Sequence, residues 1–416
     1  MTERPRLSLP GLFFVLVLME ILFGFLKKLS PTLYQPFDLL EKLIPIAALA
    51  ICALILNGRL SRPIAFSLLF YGLYLLYGIV ISYLNHKSSA VIFYQLYHEI
   101  KYIAIMVTFS VLHCSDRWSR KSLKVCTLVL LLSIPLILFQ LGASGAYDSL
   151  FSNGGHFERG YVGGLQLPRA VGVFWHPSQL AIFSLLAIIL LSSDQSMTRL
   201  RRPLYILLFT LCAVLTIQRL ELFLLLCSCY AIYLMKDRHK LYLSAHFGHL
   251  ILAVGAAFCI SVLVKPGLYA GLVESLPSPR SWIFYQSVQT LLNSSYWGAG
   301  WGTIGSHAAA DMTNAYSLSD LSDLWWVQRG LYLYDTYWPH VIGETGLPGL
   351  CLLVLSIVCL ANQFVGFNAR LIFFILFLTS LLSSNLQSIF YLVMFGWFIM
   401  VSENQSRQRL IAAHAP

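Results

Sequence analysis

Charged residues are scarce in this sequence. They make up 11% of the 416 residues, whereas hydrophobic residues make up 58%. That composition leaves too little polar surface to cover a water-soluble domain of this length. Lipid must therefore solvate most of the chain, and backbone groups in lipid must hydrogen-bond within their own segment. The sequence predicts an all-α fold, a polytopic bundle of transmembrane helices.

Cysteine pairs and metal-ligand spacings are also lacking. All nine cysteines fall in or beside apolar runs, so the sequence contains no disulfide framework and no zinc-binding pattern. Asp320 and Asp323 do not form an Asp-x-Asp pair, and the outer histidines His156, His176 and His307 have no ligand spacing. We expect neither a metal nor a cofactor. Because no internal repeat or long hydrophilic linker divides the chain, residues 1–416 are expected to form a single membrane domain.

Twelve apolar runs are candidate membrane spans, since a bilayer crossing needs roughly 20 apolar residues. They cover residues 9–26, 43–57, 64–84, 90–112, 123–141, 179–193, 204–218, 219–235, 247–264, 341–364, 371–385 and 387–402. The first run is followed by Lys27-Lys28 without a cleavage pattern, so we expect it to be retained as an anchor. An even number of spans places both termini on the same side of the membrane.

Basic residues indicate which side that is. Most of the 28 Lys and Arg residues lie in the short segments on the side of the termini, whereas residues 265–340 contain only Lys265, Arg280 and Arg329. Basic residues near helix ends are retained in the cytoplasm. Both termini are therefore predicted to be cytoplasmic. The net charge of +10 reflects this topology and attraction to anionic lipid, not a nucleic-acid surface.

Two outer segments, residues 142–178 and 265–340, are long enough to hold a site outside the membrane. The first contains a Gly-rich stretch and then Pro168–Pro177, and the second is rich in Trp and Tyr. Such aromatic residues are typical of a belt at the lipid headgroups, and a sugar-stacking surface is the alternative. Gly298–Gly302 lacks the Lys-Ser/Thr ending of a phosphate loop, so we expect a tight turn there.

Ser278 followed by Pro279 predicts the start of a helix, with Ser278 as the N-cap and Pro279 at the first helical position. Arg280 falls in the first turn, where a cation is unfavourable with respect to the helix dipole unless an anion binds there. A phosphate held by backbone N–H groups and the guanidinium would resolve that conflict. The alternative is an arginine that extends to the lipid headgroups.

Arg219 and His340 are the other candidate functional residues. Arg219 stands between two apolar runs, with Glu221 nearby, and ionisable groups at membrane depth tend to be functional. The alternative is an arginine at the water interface. His340 follows Pro339 at the outer end of the tenth span, and Glu344 lies on the same helix face four residues later. Glu344 could fix the tautomer of a catalytic imidazole, and a structural histidine is the alternative.

Several motifs occur in an order that resembles the O-antigen ligase and polymerase superfamily of bacterial envelope biogenesis. They are Gln218-Arg219, Arg280-x-Trp282 through Gly298-x-Gly300, and Pro339-His340 through Glu344-x-Gly346-Leu347-x-Gly349. The resemblance spans about residues 165–350. Two positions depart from the family pattern: Val341 stands where Asn is frequent, and Gln218 where Ser or Thr is frequent.

The resemblance implies a GT-C-like membrane glycosyltransferase of the inner membrane, with a periplasmic active site on the large loop at residues 265–340. Transfer would be metal-independent and inverting, from undecaprenyl pyrophosphate. The arginines would stabilise the leaving pyrophosphate, and the histidine would take the proton of the acceptor hydroxyl. The residues implied are His340, Arg280 and Arg219 for catalysis and Arg169, Arg329 and Glu344 for substrate binding.

Three functions stay open at this point. A polymerase that joins lipid-linked repeat units is favoured by Pro168–Pro177, which resembles a segment of many polymerases. A ligase that transfers the glycan to lipid A-core is its nearest rival. A lipid-linked glycan flippase or transporter belongs to a different class and usually shows paired halves and broken helices. The implied partners are the glycan donor, a glycan or lipid acceptor, membrane lipids and a chain-length regulator, but no nucleic acid.

Overall fold

A computed structural model describes residues 9–29, 42–51, 60–112, 116–151, 159–162, 165–193, 201–234, 279–313, 315–316, 322–381 and 383–414. The helices in those ranges are α1 (Leu9–Leu29), α2 (Lys42–Ile51), α3 (Arg62–Leu84), α4 (Ser89–Val111), α5 (Asp116–Gly142), α6 (Ser144–Phe151), α7 (Pro177–Ser193), α8 (Arg201–Leu215), α9 (Arg219–Leu234), α10 (Pro279–Asn293), α11 (His307–Asp311), α12 (Trp325–Gln328), α13 (Trp338–Ala361), α14 (Phe367–Ser380) and α15 (Ile389–His414). Two strands, β1 (Arg159–Val162) and β2 (Leu165–Pro168), form an antiparallel pair.

The described chain is mainly helical, as the composition predicts. Helices occur at eleven of the twelve predicted spans, and the ninth, at residues 247–264, lies outside the described residues. Within the part of the chain that the structure describes, three helices are long and apolar enough to cross a membrane, at Arg62–Leu84, Trp118–Gly142 and Trp338–Ala361. The count of twelve crossings and their orientation stay predictions.

The hairpin of β1 and β2 was not predicted from the sequence. Val162 pairs with Leu165, so only Gly163-Gly164 separates the two strands. Two glycines between short β-prone runs are a hairpin signal, since paired glycines suit two-residue hairpin turns. The first outer segment therefore holds a helix, α6, and a hairpin, where the sequence was interpreted only as a Gly-rich loop.

Helix α13 packs against α3 and α10, while α15 packs against α4 and α14. Between α3 and α13, Ser356 Oγ donates to the carbonyl oxygen of Ser67 at 2.9 Å, and the two serine hydroxyls lie 3.1 Å apart. Small hydroxyl side chains let helices approach closely and join them by hydrogen bonds where lipid provides no hydrophobic force between them. These contacts fix the second half of α13 beside the first half of α3.

The loop after α10 is inserted into a break in α13. Gly346 has φ 63° and ψ −165°, a conformation that only glycine adopts readily, and it interrupts the helix. Backbone N–H groups of the loop then donate to α13, from Ala299 to Gly343 O at 3.0 Å and from Gly300 to Glu344 O at 2.9 Å. A Cβ on Gly298 would lie 2.5 Å from Glu344 O. Backbone thus meets backbone, and no side chain fits between the two segments.

We predict that Gly346→Ala destabilises the protein much more than Gly330→Ala. Both glycines have φ 63°, so each alanine carries backbone strain of about 1–3 kcal/mol. A Cβ on Gly346 would also collide with the carbonyl oxygen of Tyr296, whereas nothing lies within 4 Å of one on Gly330. The overlap adds roughly 1–3 kcal/mol. Thermal unfolding in detergent measures both, and equal losses would contradict the proposed overlap.

Candidate functional site

The centre of the candidate site is a buried contact between His340 and Glu99. His340 lies in the first turn of α13, and Glu99 lies near the middle of α4. The imidazole Nε2 is 2.9 Å from Glu99 Oε1, and both side chains are 0% exposed. Because an ionised carboxylate only accepts hydrogen bonds, Nε2 carries the hydrogen in this pair.

Four neutral side chains also donate to the Glu99 carboxylate. Tyr74 and Tyr337 donate to Oε2 at 3.1 and 3.0 Å. Gln95 and Gln387 donate to Oε1 at 2.7 and 3.0 Å. A buried charge is very costly unless such groups replace its water. The set of donors therefore favours the ionised carboxylate and holds it on the imidazole.

The second ring nitrogen of His340, Nδ1, makes no hydrogen bond of normal geometry among the described residues, although the Tyr337 backbone lies close enough to interact with the ring. In the neutral tautomer that Glu99 imposes, this nitrogen is the one that can accept a proton. A carboxylate on one nitrogen and a free second nitrogen is the arrangement of a general base. The ring is fully buried, so a substrate hydroxyl reaches Nδ1 only when the groups that cover it move.

The prediction that Glu344 orients His340 is wrong: the contacting carboxylate is Glu99. Glu344 Oε1 instead accepts from the backbone N–H groups of Thr303 and Ile304, at 2.8 and 3.0 Å, and from Ser306 Oγ at 2.7 Å. The spacing of four residues placed both side chains on one helix face but did not determine their partners. Glu344 holds the Gly-rich loop through Oε1, whereas its Oε2 has no hydrogen-bond partner among the described residues. Its role in substrate binding stays a prediction.

The tight turn predicted at Gly298–Gly302 is confirmed. Its amides are used inside the protein: Ala299 and Gly300 donate to α13, and Trp301 N donates to Ser82 Oγ at 2.7 Å. Positive φ angles at Gly298, Gly300 and Gly302 turn the chain sharply. Because these three amides donate within the protein, they are not free to bind a phosphate.

Arg280 lies at the start of α10, as predicted, and is exposed. Pro279 is the first helical residue, and Ser278 lies outside the described residues. Two guanidinium nitrogens donate to the same oxygen, Asp335 Oδ2: Nη2 at 2.7 Å and Nε at 3.2 Å. Asp335 is five residues before His340, and the same segment carries Tyr337. One short stretch of chain thus joins the Arg280 ion pair to the His340–Glu99 contact.

Arg219 and Arg169 lie in a neighbouring region. Arg219 is the first residue of α9 and is exposed, and it forms no ion pair with the buried Glu221. Arg169 and Arg280 are both close enough to act electrostatically on Glu221. Arg169 is positioned through its backbone, since its carbonyl oxygen accepts from Gln140 Nε2 at 2.9 Å. The fold therefore gathers these arginines around the start of α9.

Arg329 lies apart from these groups. It follows α12, is exposed, and its guanidinium carbon is 5.7 Å from the centre of the Trp325 ring. That geometry is a cation–π contact at the surface of the large outer loop. The structure places no contact between Arg329 and His340 or Glu99 among the described residues. Of the two aspartates weighed as metal ligands, Asp323 is exposed and Asp320 lies outside the described residues.

Glu99, the direct partner of His340, was not among the residues predicted from the sequence. A signal was present, because His98-Glu99-x-Lys101 places three ionisable residues inside an otherwise apolar span. Ionisable residues at that depth are expensive and mark functional or polar sites. Tyr74, Tyr337 and Gln387 carry no such signal, since single tyrosines and glutamines are common in spans and at their ends.

A second polar cluster adjoins the first through Gln95. The His98 and His307 rings stack with their centres 3.9 Å apart, and the Tyr334 ring lies 4.1 Å from that of His307. Lys101 Nζ is 3.0 Å from His98 Nδ1. Burial lowers the pKa of His307 to about 3, and the positive charge of Lys101 adds to that effect. His307 is therefore neutral at physiological pH.

We predict that Tyr74→Phe and Tyr337→Phe each lower the free energy of unfolding by about 1.5–3 kcal/mol, the usual value of a hydrogen bond to a charged group. Tyr102→Phe is the matched control, because the buried Tyr102 hydroxyl has no hydrogen-bond partner among the described residues. Its removal should leave stability unchanged or slightly raised. Thermal unfolding in detergent compares the three, and a loss at Tyr102 equal to the others would disprove the network.

We also predict that acidification destabilises the protein through His307. The unfolded chain takes up a proton near the ordinary pKa of 6.5, but the folded protein does not until about pH 3, so stability falls as the pH drops through that window. Between pH 7 and pH 5 the loss is about 2 kcal/mol, at about 1.4 kcal/mol per unit. His307→Phe keeps the ring stack and should lose less over the same range. An identical pH profile in the variant would refute this.

Comparison with known proteins gives no family for the chain. No model of a known protein family matches it, and no curated protein is significantly similar to it in sequence. Its function therefore has to be inferred from the geometry of the described residues and from the order of its motifs.

Proposed function

We propose that this protein is a membrane glycosyltransferase that polymerises oligosaccharide repeat units carried on undecaprenyl pyrophosphate. The observation that carries the proposal is the His340 imidazole, held by a buried carboxylate on Nε2 and with no hydrogen bond of normal geometry on Nδ1 among the described residues. Arg280 supports it, since it lies at a helix start and is joined to His340 through Asp335. The order of the motifs indicates which reaction this base serves.

The proton step uses His340 as general base. Nδ1 takes the proton of the acceptor hydroxyl as the oxygen attacks the anomeric carbon of the donor glycan, and the bond from that carbon to the pyrophosphate oxygen breaks. The developing imidazolium is stabilised by the Glu99 carboxylate, which is already in contact with Nε2. Attack from the side opposite the leaving group inverts the anomeric centre. The acceptor hydroxyl enters after the groups that cover His340 have moved.

The leaving pyrophosphate is bound by arginine. In the resting structure Arg280 is held by Asp335, with side chains that are 47% and 36% exposed. An exposed ion pair contributes only about 0–1 kcal/mol, so a pyrophosphate can displace the carboxylate at little cost. Arg219 and Arg169 supply further positive charge nearby and take the place of a metal ion in stabilising the leaving group. Arg329 is a more distant contact for the glycan.

A proton-coupled transporter is a second candidate, favoured by the same buried pair. Histidine and carboxylate pairs at membrane depth form proton relays in pumps and transporters. In that case His340 and Glu99 would change protonation as the substrate crosses, and no glycosidic bond would form. A ligase that uses lipid A-core as acceptor shares the glycosyltransferase mechanism and differs only in the molecule that supplies the hydroxyl.

The test is product analysis with purified protein and undecaprenyl-pyrophosphate oligosaccharide, with and without lipid A-core. We expect a ladder of longer lipid-linked chains without core, at least 100-fold weaker in His340→Ala, since general base catalysis contributes typically 10²–10⁴-fold. Glu99→Gln and Arg280→Ala should also lose activity. Arg120→Ala, an exposed arginine of α5, is the matched control and should keep it.

Other outcomes separate the alternatives. Transfer that requires lipid A-core identifies the ligase. Movement of the lipid-linked glycan across vesicles without a new glycosidic bond identifies the transporter. Unchanged turnover in His340→Ala, with the ladder intact, removes His340 from the mechanism.

A further inference from the structure

Glu344 is a buried carboxylate that uses only one of its two oxygens. Oε1 accepts all three hydrogen bonds that hold the Gly-rich loop. Oε2 has no hydrogen-bond partner among the described residues, and the residue is 0% exposed. A buried polar atom without a partner is unfavourable, so its presence needs an explanation beyond the packing of the loop.

The unused oxygen belongs to a side chain one helical turn from His340. Residues four apart on a helix share a face, with Cβ atoms roughly 5–6 Å apart. The His340 imidazole and the Glu344 carboxylate are both fully buried and lie close enough to interact electrostatically. When His340 gains a proton on Nδ1, its positive charge is therefore stabilised by two carboxylates, Glu99 in direct contact and Glu344 on the same helix.

Lys87 is a cation at the surface that interacts with Glu344. It is half-buried in the turn of residues 85–88, which is otherwise exposed. Its backbone N–H donates to Ser82 O at 3.0 Å, and Ser82 Oγ accepts from Trp301 N of the Gly-rich loop at 2.7 Å. Burial lowers the pKa of the Lys87 amine, and the negative charge of Glu344 offsets part of that effect. The turn that carries Lys87 is thus fixed to the loop that Glu344 holds.

The proposed reaction leaves a proton on His340 after every transfer, and the base must lose it before the next bond forms. The buried ring has no direct contact with bulk water. Glu99 is a poor carrier, because its five donors favour the ionised form. Tyr316, which also lies within electrostatic range of Glu344, donates its hydroxyl hydrogen to Leu333 O at 2.6 Å. Glu344 has an oxygen available to accept the proton.

We propose that Glu344 carries this proton from His340 to the surface beside Lys87. The inference rests on the proposed function and deepens it with a route for the proton. The proton moves from Nδ1 of the imidazolium to Glu344 Oε2, which leaves a neutral imidazole and a neutral carboxyl group. The carboxyl group then releases the proton to water at the turn. The positive charge of Lys87 favours the carboxylate that is restored.

Glu344→Gln tests this route and keeps the contacts with the loop. The amide oxygen can accept the three hydrogen bonds of Oε1, but the amide cannot take up the proton. In a rapid-quench transfer assay we expect the first bond per protein molecule at close to the wild-type rate. Later bonds should form about 10²-fold more slowly, since proton transfer by a positioned side chain contributes typically 10²–10⁴-fold. This slow phase should become faster as the pH rises, because hydroxide then removes the proton from His340.

Glu403→Gln is the matched control. Glu403 is also a buried carboxylate that accepts from backbone N–H groups, those of Val365 and Gly366 at 3.0 and 2.8 Å, beyond the opposite end of α13. This variant should show no burst, that is, no fast first bond followed by slow turnover. A misfolded Glu344→Gln would lose the first and later bonds alike. Equal slowing of both phases, or no slowing at all, would overturn the proposal.

The surface end of the route is tested at the turn. Lys87→Gln removes the cation that favours the restored carboxylate, so it should show the same burst with a smaller slowing of later bonds. His86→Gln, at an exposed position of the same turn, should show none. Identical behaviour of the two variants would overturn the assignment of Lys87.

Infrared spectroscopy examines Glu344 without catalysis. In the resting protein at acidic pH we expect a band of a protonated carboxyl group that moves in D₂O and is missing in Glu344→Gln. Its absence at every pH at which the protein stays folded would overturn the proposal. The band without any transfer would refute the polymerase and keep the exchangeable proton on Glu344. Transfer without a burst in Glu344→Gln would refute the relay alone.

Discussion

The Glu99 carboxylate holds together most of the elements on which the site depends. Its donors come from α3, α4, the segment before α13, α13 itself and the turn before α15. A carboxylate in this apolar surrounding would be several kcal/mol unfavourable if it were unpaired, so each donor is constrained by the need to satisfy it. The carboxylate therefore determines where His340 lies and which of its nitrogens is free.

Two glycines determine how the loop after α10 packs against α13. The loop after α10 reaches the interior because Gly298 and Gly346 allow backbone to touch backbone, and Glu344 binds the next amides of the same loop. This places α11 and its neighbours over α4, where Gln95 accepts from Ala308 N at 3.2 Å. The loop after α10 and the His340–Glu99 pair thus share one hydrogen-bonded framework through Gln95.

Local rules predicted much of this from the sequence. Long apolar runs predicted the helices, Ser278-Pro279 predicted the start of α10, and the glycines at 298–302 predicted the turn there. Long-range pairing did not follow, because Glu99 and His340 are separated by 241 positions and no spacing rule joins them. The Glu344 prediction was wrong for the same reason: helical spacing places side chains on one face but cannot choose their partners. The hairpin was missed because its strands are only four residues long.

The wide sequence separation of the Glu99 partners has a consequence for biosynthesis. Glu99 enters the membrane early in translation, whereas His340 and Gln387 are synthesised more than two hundred residues later. Until the final helices arrive, three of its five donors do not exist, and the carboxylate has only Tyr74 and Gln95 from its own neighbourhood. The nascent protein must therefore keep α4 near water or beside an insertion factor until the last helices complete the set of donors around Glu99.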